Sequence, residues 1–278
     1  MTLDHLDSIW QLMTYGLLFG TGLNVLRYVF MAGTVHHAFH RRERPRLRHR
    51  KIATRPRPPG QDRRDMAYSL STMVIFGAFA FLGIVGSKTG TSKMYFDADA
   101  YPMWWLVLQV PVMILIHDFY FYWAHRLMHH KRVFGAVHKV HHLSRDPTPL
   151  TSYAFHPLEA VVEAGIGPLL VLTLPIQRNA LLLFLTIQFA QNVFHHLGYE
   201  LYPSWFAKTP LKHIFNTTTH HHQHHQKVNC NYGLYLNIWD RLFGTNHRTY
   251  DATVDALCDQ PLLQDTPDDP ALVPAQAH

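Results

Sequence analysis

The chain has 278 residues, a formal net charge of +6 and a mean hydropathy of −0.09. That average conceals long apolar runs alternating with Arg-rich and His-rich stretches, a pattern that excludes an ordinary soluble domain. The positive charge is concentrated between Arg41 and Arg64, between two apolar runs, which favours the anionic face of a membrane over nucleic acid. The two cysteines, Cys230 and Cys258, are too few for a disulfide framework, so a reducing compartment is expected.

Five apolar runs follow one another along the chain, and we predict that all five are embedded in a membrane. The runs are 9–32, 66–86, 102–123, 158–174 and 179–197. The first residues, MTLDHLDS, lack the basic region of a secretory signal, so the first run is expected to stay as an anchor. The last two runs are separated by Pro-Ile-Gln-Arg and predict a hairpin of helices. The predicted fold is therefore an all-α integral membrane helical bundle.

Charge and composition divide the chain into three regions. Residues 1–65 comprise a membrane helix and a basic loop, 66–250 carry the remaining spans and the histidines, and 251–278 form an acidic, Pro-rich tail that is predicted to be disordered. The positive-inside rule places the loop 33–65 in the cytoplasm. The spans that follow then bring every histidine motif to the cytoplasmic face, as a His-rich metal-binding cap.

Three histidine motifs are spaced as metal ligands. They are HxxxH at His125 and His129, HxxHH at His138, His141 and His142, and HxxHH at His221, His224 and His225. Residues three and four apart share a helix face, so each motif is expected to aim its rings at one point. Neutral imidazole binds Fe, Zn, Cu and Ni, and the absence of Cys from the motifs argues against a structural thiolate zinc site. Eight histidines exceed the needs of one tetrahedral ion and suit two metals with open positions.

Other polar side chains are placed to support these rings. Asp118 and Tyr122 share a helical stripe with His125 and His129, and a carboxylate there would orient the ligands by hydrogen bonding. His117 joins Asp118 in this prediction, although an interfacial polar pair is an alternative. A second stripe includes Glu159 and Glu163; Glu163 is predicted to support the metal site, whereas Glu159 could equally cap a helix.

Four segments resemble the fatty acid hydroxylase/sterol desaturase superfamily. They are HDFYFYWAHRLMHH, HKVHHLSRDPTPLTSYAFHPLE, HHLGYE and THHHQHHQKVNCNYGLYLNIWDRLFGT. The resemblance covers roughly residues 66–250, and PTPLTSYAFHPLE is most similar to the C-5 sterol desaturase branch. HHLGYE and NTTTHHHQHH are more similar to bacterial members, which suggests the inner membrane of a bacterium. The resemblance implies O2-dependent hydroxylation or desaturation of a lipid at a non-haem centre of two iron ions.

The resemblance also implies which histidines bind the metals. It carries over to the eight histidines of the three motifs and adds His196, which precedes Leu-Gly-Tyr-Glu. The neighbours His195, His220 and His222 leave the ligand register open. His221 fits the HxxHH form, and His222 is rotated by roughly 100° from it on an ideal helix. His220 precedes His224 by four residues and is expected to support the site or replace a ligand.

Partners follow from what the sequence lacks. It contains no G-x-G-x-x-G fingerprint and no haem or Fe–S cysteine motif, so a separate protein is expected to donate electrons. The lipid substrate is expected to enter from the bilayer, and no nucleic acid is expected as a partner. A competing interpretation is a metal transporter or metal-binding membrane protein, and a third is a scaffold without catalysis. Transporters place ligands near the bilayer midplane, whereas these histidines lie at or beyond span ends.

Overall fold

The computed structural model describes residues 3–42, 44–53 and 56–260, and over these residues every regular element is helical. The prediction of an all-α fold is confirmed for this part of the chain. The α-helices are α1 (Leu3–Arg27), α2 (Thr34–His36), α3 (Gln61–Thr89), α4 (Met103–Met128), α5 (Phe134–Val137), α6 (Pro157–Ala164), α7 (Ile166–Thr173), α8 (Arg178–His195), α9 (Ser204–Ala207), α10 (Thr218–Lys227), α11 (Ile238–Leu242) and α12 (Tyr250–Cys258). Two π-helical segments, Tyr28–Gly33 and His37–Arg41, and four 3-10 segments, Pro45–Arg50, His141–Leu143, Pro149–Tyr153 and Pro210–His213, complete the set.

Two helices in the described residues, α3 and α4, are long and apolar enough to cross a membrane. They contain the predicted runs 66–86 and 102–123. The predicted run 158–174 differs from expectation, because it is divided at Gly165 into α6 and α7, each of 8 residues. The helical path of α1 also continues through the π-helical segments to Arg41, and α3 begins at Gln61, so both helices extend into the predicted basic loop.

Large apolar side chains cover the outer surfaces of the long helices. Leu18 and Phe19 on α1, Leu70 and Leu82 on α3, and Leu115 on α4 are all exposed. An apolar surface of this extent needs to be covered by lipid or protein. Between these helices, the side chains are small: a Cβ added to Gly20 would lie 3.1 Å from the Cα of Gly77. Glycine at this crossing therefore lets α1 and α3 approach closely, as is common in membrane helices.

Two apolar cores anchor the site-bearing helices. In one, Tyr28 and Tyr153 pack with Phe189 of α8, and the Tyr28 hydroxyl donates to the Leu150 carbonyl at 2.8 Å. In the other, side chains of α4, α7 and α8 pack around Phe184. Because both cores include α8, they fix the end of that helix relative to α4 and to the loop that follows the second histidine motif.

The basic segment has a structural role that the sequence did not suggest. Arg50 is buried, and its guanidinium donates to the carbonyl oxygens of Tyr202 at 2.8 Å and Cys258 at 3.1 Å. A basic side chain commonly satisfies the last carbonyls of a helix in this way. The helix α12 occupies the first part of the region 251–278, so the prediction of disorder is wrong for 251–258, which packs through Tyr250 and Val254. The rest of that tail, 261–278, lies outside the described residues.

Candidate metal centre

Nine buried histidines form two groups in which ring nitrogens converge within 4.8 Å of one another. The five-histidine cluster contains His125, His129, His138, His142 and His224. The four-histidine cluster contains His141, His196, His221 and His225. The structure thus brings together all nine histidines that we predicted as ligands, including His196. Neither cluster contains a thiolate or a carboxylate ligand.

Each HxxHH motif is divided between the two clusters. His138 and His142 belong to the five-histidine cluster while His141 belongs to the other. The downstream motif is divided in the opposite sense, since only its middle histidine, His224, joins the five-histidine cluster. The expectation that each motif aims its rings at one point is therefore wrong for the two HxxHH motifs, whereas His125 and His129 of the HxxxH motif do lie in one cluster. Adjacent residues in a helical turn project about 100° apart. Each His-His pair therefore lies between the clusters and contributes one ring to each.

Several elements position the rings. His125 lies in the last turn of α4, and His129 is the residue at its C-terminal end. His196 occupies the same position at the end of α8. The second motif begins directly after the short helix α5, and the third is carried by α10. A single helix, α10, therefore carries the third motif into the site. The N-cap residue of this helix, Thr217, accepts a hydrogen bond from the backbone N–H of His220.

Distances between Nε2 atoms are those expected of neighbouring metal ligands. They are 3.1 Å for His125–His138, 3.0 Å for His142–His224, and 3.1 Å for both His196–His221 and His221–His225. Two imidazole nitrogens bound to one ion at about 2.0–2.1 Å are roughly 3.0 Å apart at a right angle and roughly 3.4 Å apart in a tetrahedron. The clusters therefore have the dimensions of two coordination sites.

The opposite ring nitrogen, Nδ1, is anchored in four of the nine rings. Each Nδ1–H donates to an oxygen acceptor, which fixes the tautomer and turns the Nε2 lone pair inward. The pairs are His125 with the Tyr232 carbonyl at 2.9 Å, His138 with the Glu159 carboxylate at 2.7 Å, His224 with the Cys230 carbonyl at 2.7 Å, and His196 with the Asn192 carbonyl at 2.7 Å. Glu159 thus supports a ligand directly, which the sequence left open against a helix cap.

The donor set fits metal ions on two further observations. Both ring nitrogens of His129 are buried without a hydrogen-bond partner. Each such nitrogen destabilises the fold by about 1–3 kcal/mol, and a bound ion would remove this cost for one of the two. Burial, reinforced by the neighbouring histidines, holds the pKa of His129, His138 and His224 below the usual value. The rings therefore stay neutral, which is the form that binds metals. Imidazole donors of this kind suit Fe, Zn, Cu and Ni.

The predicted supporting residues on α4 do not contact the clusters through hydrogen bonds. Asp118 accepts from the backbone N–H groups of Tyr235 and Leu236 at 2.7 and 3.2 Å and from the Trp239 indole at 2.9 Å. The other two contacts are His117 Nδ1 with the Tyr235 hydroxyl at 3.0 Å and the Tyr122 hydroxyl with Thr245 Oγ1 at 3.1 Å. These three side chains turn toward the segment 232–245, which includes α11. They therefore hold that segment in place and do not orient the predicted ligands.

His220 acts on the five-histidine cluster through an intermediary. Its Nε2 lies 3.1 Å from Asp240 Oδ2, outside both clusters. Asp240 Oδ1 accepts from the backbone N–H of Tyr232 at 2.8 Å, and the carbonyl of Tyr232 accepts from His125. His220 thus belongs to a chain of hydrogen bonds that ends on a predicted ligand, consistent with its predicted supporting position.

The other two neighbours also lie outside the clusters. His222 Nε2 is 3.1 Å from Asp146 Oδ1, on the side of α10 that faces away from the ligand rings. His195 Nε2 is 2.8 Å from the side-chain nitrogen of Gln191. The placement of His221 and His196 in the four-histidine cluster therefore favours the register that the sequence suggested for both pairs.

Asp65, like Asp240, is a supporting residue that the sequence analysis did not identify. Asp65 is buried near the start of α3 and accepts hydrogen bonds from Ser144 Oγ at 2.9 Å and Thr151 Oγ1 at 2.8 Å. It therefore fixes the loop that directly follows His142. In the sequence, Asp65 is an acid directly before the apolar run 66–86, and the loop after His142 is rich in Ser and Thr. Only the folded structure shows that the acid and this loop meet.

A small enclosed cavity of about 20 Å³ lies between the two clusters. Histidines from both clusters line it, together with Phe121, Leu234, Gln188 and Glu163. Its size is sufficient for one or two molecules as small as water. Glu163, predicted as a supporting residue, is therefore placed at the cavity wall, and none of the described hydrogen bonds joins it to a cluster histidine. The apolar part of that wall comes from Phe121 of α4, from Leu234 and from Phe155.

Comparisons with known proteins agree with this geometry. The fatty acid hydroxylase family model matches residues 110–245. A Delta(7)-sterol 5(6)-desaturase of Gibberella zeae is 29% identical over 187 residues, 67% of this chain and 56% of that protein. Lathosterol oxidase of Mus musculus is 31% identical over 158 residues, 56% and 51% of the two chains. A Delta(7)-sterol 5(6)-desaturase of Aspergillus fumigatus is 29% identical over 232 residues, 76% and 70% of the two chains.

The chain spans about half the length of most of these curated relatives. No solved structure matches it significantly. The matched region 110–245 nevertheless contains all nine cluster histidines, the loop that Asp118 holds and Glu159. The family match, the sterol desaturase relatives and the histidine geometry together support the assignment of this chain to the fatty acid hydroxylase/sterol desaturase superfamily.

Proposed function

We propose that this protein is a membrane-bound, O2-dependent lipid hydroxylase or desaturase with two non-haem iron ions. The observation that carries the proposal is the pair of adjacent histidine clusters with one cavity between them. The names of the relatives concern sterols, whereas the matched family is named for fatty acids, so a sterol-like or fatty-acyl lipid is the expected substrate class.

Each part of the site has a task in such a reaction. Two irons held by the clusters would supply the oxidation of an unactivated C–H bond by O2. The cluster histidines would hold the metals through Nε2, and Glu159 keeps His138 in the tautomer that this requires. Phe121 and Leu234 give the cavity an apolar wall, which excludes water from the reacting carbon. The lipid would reach this wall from the bilayer, between the helices.

We further propose that the clusters lie at the cytoplasmic surface of the membrane. The two apolar helices, their exposed side chains and the Arg-rich segment between α1 and α3 support this orientation. Reporter fusions at Gly60 and Lys93 test it: a cytoplasmic reporter should be active at Gly60 and inactive at Lys93. Activity at Lys93 would contradict the topology. A bacterial inner membrane remains the expectation from the HHLGYE resemblance, while the relatives compared above are fungal and mammalian.

The electron source is proposed to be a separate protein, because the sequence contains no haem, Fe–S or dinucleotide motif. Purified protein should therefore turn over only when a reducing partner is added. Turnover with O2 and a nicotinamide cofactor alone would contradict this part of the proposal.

Two measurements test the central proposal, one on the purified chain and one on whole cells. Metal analysis should find about two iron ions per chain, and lipid mass spectrometry of a deletion strain against wild type should reveal a lipid lacking one hydroxyl or one double bond. One metal or none in folded protein would contradict the two-metal site. Two metals with an unchanged lipid profile and no oxidised product in reconstitution would instead favour a metal-binding or transport protein.

A further inference from the structure

A second cavity, of about 330 Å³, lies beside the basic segment, and it shares no lining residue with the small cavity between the clusters. The wall is formed by the segment that ends at Arg41 with Arg42, by residues 51–53 and 56–57, and by the loops at 146–148 and at Tyr199. The residues that matter for its chemistry are Arg41, Arg42, Lys51, Arg57, Phe39 and Tyr199. The proposed oxidation uses none of these residues.

The lining carries an excess of positive charge. Arg57 is paired with Asp62 at 2.8 Å. No carboxylate in the described parts of the chain forms an ion pair with Arg41, Arg42 or Lys51. Asp146 is the acidic residue of the described lining, and its Oδ1 already lies within hydrogen-bond distance of His222 and Gln226. Arg41, Arg42 and Lys51 therefore line a concave space with Asp146 as the one described carboxylate, so the lining keeps a net positive charge.

The walls of this cavity are fixed by hydrogen bonds. The backbone of Ile52 donates to the Gly198 carbonyl at 2.9 Å, and His40 Nε2 donates to the Leu197 carbonyl at 2.8 Å. Gly198 has a left-handed φ of 77°, and the His40 ring lies 3.5 Å from where a Cβ would stand. The cations are therefore carried by walls that are formed before any ligand arrives, as in ordinary small-molecule sites.

We propose that this cavity binds a phosphate group, either that of an anionic lipid headgroup or free phosphate. Guanidinium and ammonium groups are the usual protein ligands of phosphate oxygens. The volume is at the small end for ligand pockets and favours a compact group over the broad face of a protein partner. Gln61, the first residue of α3, donates to the Asp146 carbonyl at 3.1 Å, so the cavity lies at the end of an apolar helix. The lipid alternative rests on the membrane placement proposed above, because a headgroup would lie at this level.

Binding to the full chain in detergent micelles tests the proposal. Native mass spectrometry would measure retention of dioleoylphosphatidic acid against dioleoylphosphatidylcholine, with inorganic phosphate as competitor. The variant Arg42→Ala/Lys51→Ala removes two lining cations and should weaken phosphatidic acid binding about 10- to 30-fold. The matched control, Lys131→Ala/Arg132→Ala, removes two exposed cations outside the cavity and should change binding less than about threefold.

Each outcome decides the matter. Selective weakening in the cavity variant supports the proposal; competition by inorganic phosphate then assigns the site to phosphate itself, and a lack of competition assigns it to the lipid headgroup. Equal weakening in both variants would reduce the binding to general surface charge and overturn the proposal. The proposal would also be overturned if the wild-type chain bound neither phosphatidic acid nor inorganic phosphate. Iron content, measured in parallel, separates these results from the proposed oxidation, because neither variant alters a cluster histidine.

Discussion

The two histidine clusters differ in how firmly their rings are held. In the five-histidine cluster, three rings are anchored through Nδ1, whereas in the four-histidine cluster only His196 has such an anchor in the described hydrogen bonds. The Nδ1 atoms of His141 and His225 are buried without a partner, as are those of His129 and His142 in the five-histidine cluster. An octahedral ion would keep one open position in the first cluster and two in the second. The difference indicates a rigid site beside a more adaptable one, and the adaptable site is where we expect a small ligand to bind more readily.

The largest effect should come from breaking the smaller cluster. His141→Ala leaves three histidines there, so we expect turnover to fall by more than about 100-fold and metal content to fall from two ions per chain toward one. His129→Ala leaves four histidines in the larger cluster and should retain both metals while losing turnover. Metal analysis and product formation on the same preparations test both statements. Equal metal loss in the two variants would remove the distinction between the clusters.

The third motif tests which ring serves which cluster. His221→Ala should lose metal and turnover, because His221 Nε2 lies 3.1 Å from two other cluster rings. His220→Ala should lose part of both, roughly 10-fold or more, since it reaches His125 only through Asp240 and Tyr232. His222→Ala is the matched control, on the same helix and outside both clusters, and should retain metal and turnover. An inactive His222→Ala with an active His221→Ala would show that the register is wrong.

The Glu159 carboxylate tests the value of an anchored ring. Glu159→Ala removes the acceptor of His138 and should reduce metal affinity or turnover about 10- to 100-fold. Glu159→Gln keeps an oxygen acceptor and should recover most of that loss. The comparison is specific to the anchor, because both variants remove the charge. If the Gln variant were as impaired as the Ala variant, charge and not orientation would be the property that matters.

Asp118→Asn should affect folding more than the metals. The substitution replaces one carboxylate oxygen by an NH2 group. In one orientation of the amide this NH2 group faces the Trp239 indole N–H, and in the other it faces the backbone N–H of Tyr235. We expect the free energy of unfolding to fall by about 1–3 kcal/mol, with two metals still bound. Thermal unfolding in detergent and metal analysis provide the measurements. Loss of metal without loss of stability would return Asp118 to the role that the sequence first suggested.

The last effect, on stability and not on turnover, concerns pH and the metal-free protein. The folded-state pKa values of His138, His141, His221 and His225 are lowered by burial and then by neighbouring histidines, while an unfolded histidine titrates near 6.5. Below pH 6.5 the unfolded state therefore binds more protons, and stability should fall as pH falls, by up to about 1.4 kcal/mol per pH unit for each histidine. Thermal unfolding of metal-free protein from about pH 8 to 5 should show this decline. Metal-loaded protein should decline less over the same range.

The sequence predicted the helical fold and, because ligand spacing is a local property, the eight motif histidines; the family resemblance added His196. It did not predict how they divide, because that depends on packing α4, α8 and α10 around the second motif. The stripe argument failed for Asp118 for a related reason: it shares a helix face with His125, but the loop 232–245 reaches its carboxylate first. Glu159 and Asp65 act across chain distances that no periodicity reveals.

The division of each His-His pair between two clusters has a consequence for how such a chain can change over evolution. An insertion of one residue between His138 and His142 would rotate the later rings by about 100° and exchange or misdirect the ligands of both sites at once. Neither site can therefore be lost, gained or retuned by a shift in register while the other is preserved. The spacing inside each HxxHH motif has to satisfy the geometry of both clusters. The loops between the motifs are under no such condition and can lengthen and reshape the path by which a lipid arrives.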